Sequence, residues 1–244
     1  MTAPAIETIG LTRRYGALTA VDHLNIRVEK GELFSLLGVN GAGKTTTIRM
    51  LCCLTKPTEG DATLSGASIV REPMHVKEKI GVSPQETAVA ANLTAEENLR
   101  LMCGMHGLSR AETDEKVRAL SERFHLNEVL SRRAGKLSGG WQRRLSIAMA
   151  LVSDPEILFL DEPTLGLDVI ARSELWDVIR GMKGHATIIL TTHYMEEAEA
   201  LSDRVGVMKD GRLLALGTPD ALKAQTGQEK FEDAFIAIVK GASK

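Results

Sequence analysis

The sequence predicts an α/β fold with a mostly parallel sheet core, an N-terminal antiparallel β subdomain and a helical insert. Three observations carry that prediction. The apolar runs 33–37, 157–160 and 187–190 are short and continuous, and each leads through a polar or glycine-rich turn into a helical pattern. Strands apolar on both sides that alternate with helices belong to a parallel sheet covered on both faces. Before residue 33 the pattern differs. Runs 6–11 and 18–28 flank Arg13-Arg14-Tyr15-Gly16 as a hairpin, and further hairpin punctuation follows Pro57 at Thr58-Glu59-Gly60 and Ser65-Gly66. From about residue 94 to 152 the chain is mostly helical in pattern, with Val117, Leu120 and Phe124 on one stripe and Glu112 and Lys116 as a surface i,i+4 pair.

The remaining elements follow in order. Residues 213–217 read as a late strand, and Thr218-Pro219 opens a short helix with proline in its first turn. Phe231, Ala234, Phe235, Ile238 and Val239 recur at helical spacing, a face expected to dock on the chain's own body. The sequence carries no internal repeat, low-complexity tract or linker. Residues 1–244 are therefore read as a single domain, with 1–92 and 153–244 forming the core and 93–152 the insert.

Composition narrows the function. The 244 residues hold 30 basic and 32 acidic side chains, so no broadly basic surface for nucleic acid exists and no nucleic-acid partner is expected. Apolar residues make up 43%, too many for a disordered chain, and aromatics 4%, too few for a base-stacking platform. Cys52 and Cys53 are adjacent in what reads as a helix, where a vicinal disulfide is strained; with Cys103 they are expected to be free, buried thiols in a reducing compartment. No Cys/His spacing fits zinc, and His23, His75, His106 and His125 read as ordinary structural or surface residues. The N-terminus lacks a signal-peptide pattern, and no window approaches the roughly 18 apolar residues of a membrane helix. A role at a membrane therefore needs another chain to cross it.

Two segments carry phosphate chemistry. Gly38-Val39-Asn40-Gly41-Ala42-Gly43-Lys44-Thr45 fits GxxxxGK[ST] between a predicted strand and a predicted helix, the context this motif requires. The glycines let backbone N–H groups close around a polyphosphate, Lys44 adds a point charge for the outer phosphates, and the Thr45 hydroxyl can bind Mg²⁺; the helix N-terminus adds its dipole. Downstream, the apolar run 157–160 ends in Asp161-Glu162. Ligands of open α/β sheets bind at that strand end, where Asp161 can hold Mg²⁺ and Glu162 can polarise water.

A third segment decides between the many NTPases these two would fit. Leu137-Ser138-Gly139-Gly140-Trp141-Gln142 opens a long helical pattern, a second helix N-terminus facing an anion. With it the sequence resembles the ATPase subunits of ABC transporters, whose signature begins LSGG. The resemblance covers essentially the whole chain and follows the family's order of motifs. It implies an ABC ATPase fold built on a P-loop NTPase core, with ATP and Mg²⁺ as cofactors. It also implies a head-to-tail dimer of two copies in which Leu137, Ser138, Gly139 and Gly140 close over the partner's ATP.

The resemblance assigns further residues. Tyr15 is expected to stack on adenine, with Gly38, Asn40, Gly41, Ala42, Gly43, Lys44, Thr45 and Thr46 around the phosphates. Gln85, after Gly81-Val82-Ser83-Pro84, matches the Q-loop glutamine that senses Mg²⁺ alongside Thr45 and Asp161 and links the site to the transmembrane partner. Leu167-Asp168 matches the D-loop across the dimer interface. Glu162 matches the general base and His193 the switch histidine at the γ-phosphate. Two positions depart from the pattern: Trp141 stands where Gln is commoner, and Val169 where Pro is frequent.

Thr191-Thr192-His193-Tyr194-Met195-Glu196-Glu197-Ala198-Glu199, with Asp203-Arg204, Asp210-Gly211-Arg212 and Phe231-Glu232-Asp233-Ala234-Phe235, resembles the ATPases paired with ABC-2-type exporters of drugs, antibiotics, polysaccharides, lipids or ions. The expectation is a peripheral ATPase on the cytoplasmic face of the membrane, bound to separate polytopic permease subunits. Two rivals are a soluble ABC ATPase of translation or DNA repair and a non-hydrolytic nucleotide-sensing module. The first usually has two cassettes or a long coiled-coil insert, neither of which is present; the second is opposed by the intact Glu162 and His193.

Overall fold

A computed structural model of the chain describes residues 3–241. Along the described residues the strands and helices run β1 (Ile6–Tyr15), β2 (Leu18–Leu24), β3 (Arg27–Val28), β4 (Leu33–Leu37), α1 (Lys44–Leu51), β5 (Glu59–Leu64), β6 (Ala67–Ser68), α2 (Pro73–Lys79) and β7 (Ile80–Ser83). There follow α3 (Ala95–Met105), α4 (Arg110–Arg123), two short 3₁₀ turns (Leu126–Val129 and Ala134–Lys136) and α5 (Gly139–Ala150). The chain then alternates through β8 (Ile157–Asp161), α6 (Val169–Arg180), β9 (Thr187–Thr192), α7 (Met195–Leu201), β10 (Arg204–Lys209), β11 (Arg212–Gly217), α8 (Pro219–Thr226) and α9 (Phe231–Gly241).

The larger sheet has the order β11-β10-β4-β9-β8-β7 and is parallel except at its β11 edge. Every residue of β4, β8 and β9 is buried, so the sheet is covered on both faces. Alternation along each strand sorts the side chains. Leu33, Leu158, Leu160, Ile188 and Leu190 pack with the helices α3 to α6, whereas Phe34, Leu36, Ile157, Phe159 and Ile189 pack with α1 and the smaller sheet. That smaller, antiparallel sheet has the order β2-β1-β5-β6, with β3 also on β1. The predicted α/β class, the N-terminal hairpins and the helical stretch are thus all present. Among the described residues no helix is long and apolar enough to cross a membrane.

Four local expectations need correction. Run 18–28 divides into β2 and β3 at Asn25-Ile26: the backbone is left-handed at His23 (φ 49°), near the end of β2, and Asn25 Oδ1 in the gap accepts from Gly10 N at 2.8 Å. The first strand extends to Tyr15, with register shifts near Arg13. Cys52 and Cys53 lie outside the helix: α1 ends at Leu51, Cys52 caps it, and Cys53 takes a left-handed conformation (φ 55°) that closes the helix end. Cys52, Cys53 and Cys103 are free, with Cys53 only half-buried. Glu112 and Lys116 do not pair. Glu112 accepts from Ser109 N at 2.8 Å in a capping box, and Lys116 reaches Asp154. The tail behaves as expected: Phe231 and Phe235 are buried against Leu37, Val205, Val207 and Leu222, with Ile238 and Val239 alongside, and Ala234 is fully buried.

Helices α3 and α4 are held by caps whose strength depends on pH. Thr94 and Ser109 each exchange hydrogen bonds with a glutamate three residues on, Glu97 and Glu112. Bonds to the Thr94 backbone and hydroxyl hold Glu97 below its usual value of 4.5, and bonds to Ser109 do the same for Glu112. A carboxylate with a depressed folded pKa binds fewer protons than in the unfolded chain, so its stabilisation is present above pH 4.5 and lost as pH falls through the folded value. The double variant Glu97→Gln, Glu112→Gln should therefore melt lower than wild type at pH 7, with the gap closing towards pH 3. A pH series of thermal melts checks this; a constant gap would contradict it.

Candidate nucleotide site

The site forms where three parallel strands end side by side. β4 leaves the sheet into the loop 38–43, which enters α1, and β8 and β9 deliver Asp161 and His193 next to it. The loop is shaped by glycine. Gly43 is left-handed (φ 101°), and a Cβ there would stand 2.4 Å from the Ala20 carbonyl; a Cβ on Gly38 would stand 2.5 Å from the Met208 carbonyl. Thr47 N donates to Gly43 O at 2.9 Å, so the N–H groups of the first turn of α1 face out of the helix without intrahelical acceptors. This is the arrangement that attracts an anion.

Lys44 is buried at 4% exposure. Its Nζ donates to Gly38 O at 2.7 Å and Val39 O at 3.3 Å and lies 3.5 Å from Glu162 Oε1. Burial pulls its pKa below the usual lysine range, opposed by the nearby Glu162 carboxylate. Glu162 is itself left-handed (φ 47°), a conformation uncommon for a residue with a side chain. Its N–H is anchored to both the carbonyl and the hydroxyl of Thr191, each at 3.1 Å, and its Oε2 accepts from His193 Nδ1 at 3.0 Å. The carboxylate is thus held between Lys44 and His193. Beside it the Thr191 hydroxyl also donates to Asp161 Oδ1, and Thr45 Oγ1 lies 3.3 Å from that same oxygen.

A cleft of about 650 Å³ gathers these groups. Of the residues predicted from sequence, Tyr15, Asn40, Gly41, Ala42, Gly43, Lys44, Thr45, Thr46, Gln85, Glu162 and His193 line it. Gly38 is buried behind Lys44, and Asp161 behind Thr45. Tyr15 is exposed at the rim, with the Arg13 guanidinium 4.4 Å from its ring centre. The signature residues Leu137, Ser138, Gly139 and Gly140 do not line the cleft of their own chain. Ser138 starts α5 without a side-chain cap; Gly139 faces Leu167, just before α6, and Gly140 faces Ala171 in the first turn of α6. Asp168 caps α6, accepting from Ile170 N and Ala171 N at 2.9 Å each.

A family profile described as "ABC transporter" matches residues 21–165, well over half of the chain, and spans the glycine loop, the signature and the Asp161-Glu162 pair. The chain belongs to the ABC transporter family, as an ATP-binding domain. It is 42% identical to the "Probable multidrug ABC transporter ATP-binding protein YbhF" of Escherichia coli K12, over 96% of this chain and 41% of YbhF; it thus spans about two fifths of that protein. It is also 42% identical to the "Daunorubicin resistance ATP-binding protein DrrA3" of Streptomyces coeruleorubidus, over 95% of this chain and 74% of that one. Among solved structures, an "ATP binding subunit of ABC transporter" superposes with TM-score 0.85 at 30% identity, covering 96% of this chain and 99% of the other.

Some residues around this ABC domain site have no site role assigned from sequence. Thr191 ties Asp161 and Glu162 together, and the TT pair before His193 was its only local sign. Leu18, Thr19, Ala20, Leu165 and Asp210 form the rest of the cleft wall. Glu197, four residues after His193, is fully buried and receives the Trp176 indole N–H at 3.0 Å; burial pushes its carboxyl pKa up. Arg143 is buried against the Gln85 loop.

Proposed function

We propose that this chain is the ATP-hydrolysing subunit of an ABC exporter, acting as a head-to-tail dimer beneath separate polytopic permease subunits. One observation carries the hydrolytic part: Glu162 is held between Lys44 and His193 at the mouth of the phosphate loop. The relatives' printed names, multidrug and daunorubicin resistance, support export of drugs, with lipids, polysaccharide or ions as other cargo classes. On this reading the chain works at the cytoplasmic face of the membrane.

Each residue has a task in this scheme. The loop 38–43 and the first turn of α1 bind the triphosphate, with Tyr15 against adenine. Lys44 neutralises charge on the outer phosphates. Glu162 Oε2 takes the proton from the attacking water, and His193, whose Nδ1 holds that oxygen, steadies the γ-phosphate. Thr45 Oγ1, Asp161 and the nearby Gln85 form an all-oxygen set of the kind Mg²⁺ takes together with water and phosphate oxygens. Mg²⁺ bound there would offset charge building on the phosphates. Residues 93–152 move as a helical subdomain, carrying Leu137, Ser138, Gly139 and Gly140 onto the partner's ATP, and Asp168 lies between the copies.

Affinity purification of the tagged chain from gently solubilised native membranes tests the assignment. A polytopic membrane protein of about six helices, recovered in equal amount, is the expected result. Recovery of ribosomes or repair factors alone would overturn export and favour a soluble ABC ATPase. A complex recovered without ATPase activity would favour a nucleotide-sensing module.

A further inference from the structure

The first turns of α5 send consecutive side chains to different segments. Gln142 Nε2 donates to Ala134 O at 3.1 Å and Leu137 O at 3.2 Å, bracing the loop that enters the signature. Arg143 reaches the loop after β7, where its two terminal nitrogens donate to Pro84 O and Gln85 O, both at 2.6 Å. Arg144 pairs with Glu174 on α6 and lies over the Trp141 ring. One turn further, the Ser146 hydroxyl meets that of Ser83, the last residue of β7, at 3.1 Å. The helix that begins at the signature is therefore fastened at two levels to the segment that carries Gln85.

Arg143 is the unusual member of this set. It is 4% exposed and makes no direct ion pair among the described residues, although the Asp161 and Glu197 carboxylates favour its charge from farther off. Burial pulls its pKa below the usual arginine value. A buried guanidinium is costly unless its donors are satisfied, and here the fork grips adjacent carbonyls of one loop. A lysine, with a single nitrogen, does not reproduce the planar fork. One end of the link lies at Gln85, on the wall of the chain's own cleft; the other lies five residues past Ser138 on the signature helix.

We propose that Arg143 is a positioning residue that transmits between the two nucleotide sites of the dimer, coupling the Gln85 loop at one ATP to the signature that closes on the other. This rests on the two-site reading given above. A shift of Pro84 and Gln85 on nucleotide binding draws Arg143 with it and re-aims the start of α5. Without the fork, each chain still binds nucleotide, but the two sites lose knowledge of each other.

ATP titrations of turnover by the full-length chain test this, using wild type, Arg143→Lys and Arg143→Met. Wild type is expected to show a Hill coefficient above one and up to two, the number of sites. Arg143→Met should fall to about one, with affinity for a fluorescent ATP analogue within about twofold of wild type, and Arg143→Lys should resemble it. Unchanged cooperativity in a folded Arg143→Met chain would overturn the proposal. Should that variant fail to fold, hydrogen exchange of Arg143→Lys decides. ATP should protect residues 84–90 in both wild type and variant, but residues 137–142 only in wild type; equal protection of 137–142 in both would overturn it. Wild type lacking any ATP turnover would overturn the ATPase reading instead, and this proposal with it.

Discussion

Glu162→Gln is expected to cut ATP turnover by about 10²–10⁴-fold, the usual contribution of a positioned general base, while leaving ATP binding intact. The amide keeps the shape of the carboxylate and can still meet His193, which lies 3.0 Å from Oε2, but it cannot take a proton from water. It also removes the negative charge 3.5 Å from Lys44 Nζ, which strengthens rather than weakens attraction for the triphosphate. ATP that binds but is not hydrolysed should hold the two copies closed. Steady-state phosphate release measures the first effect, and light scattering in ATP measures the second. Turnover within threefold of wild type would move the base elsewhere.

Lys44→Ala is expected to act one step earlier, on binding. A charge-assisted hydrogen bond contributes about 1.5–3 kcal/mol, so nucleotide affinity should fall by about 10- to 150-fold. The substitution also unties the loop, because Nζ holds the carbonyls of Gly38 and Val39 from inside. It leaves Glu162 with His193 but without its buried ammonium partner, so the free protein should melt lower as well. The two variants are therefore separable: Lys44→Ala loses the ATP-induced rise in melting temperature, and Glu162→Gln keeps it. Isothermal titration with ATP gives the affinities directly. An unchanged Kd for Lys44→Ala would contradict the place given to this side chain.

What could be read from sequence shares one property: its geometry is fixed by neighbours in the chain. Gly41, Gly43 and Lys44 stand within one turn of a strand–helix junction, and Asp161-Glu162 stand at the end of a fully buried strand, so spacing alone locates them. The alternation that sends Leu158 to one face and Phe159 to the other is equally local. What escaped depends on partners distant in sequence. Thr191 matters because β9 lies beside β8, which brings its hydroxyl to Asp161. Arg143 matters because α5 packs beside the end of β7. Glu112 and Lys116 have ideal helical spacing, yet a capping box claims one and Asp154 the other. The break after Leu24 and the helix end at Cys52-Cys53 each lie beside a left-handed residue other than glycine, His23 and Cys53, for which the sequence carries no reliable sign.

The central claim, that each signature closes on the other copy's phosphate loop, is tested most directly by cross-linking between two differently tagged chains. One carries Ser138→Cys and the other Asn40→Cys, both with Glu162→Gln and with the half-buried Cys53 replaced by serine. Ser138 is exposed at the start of α5 and Asn40 lines the cleft, so both positions accept a short bis-maleimide. Covalent heterodimer that forms only when the two chains are mixed, and only with ATP, is the result this account predicts. Heterodimer that is absent, or forms equally without ATP, would contradict it.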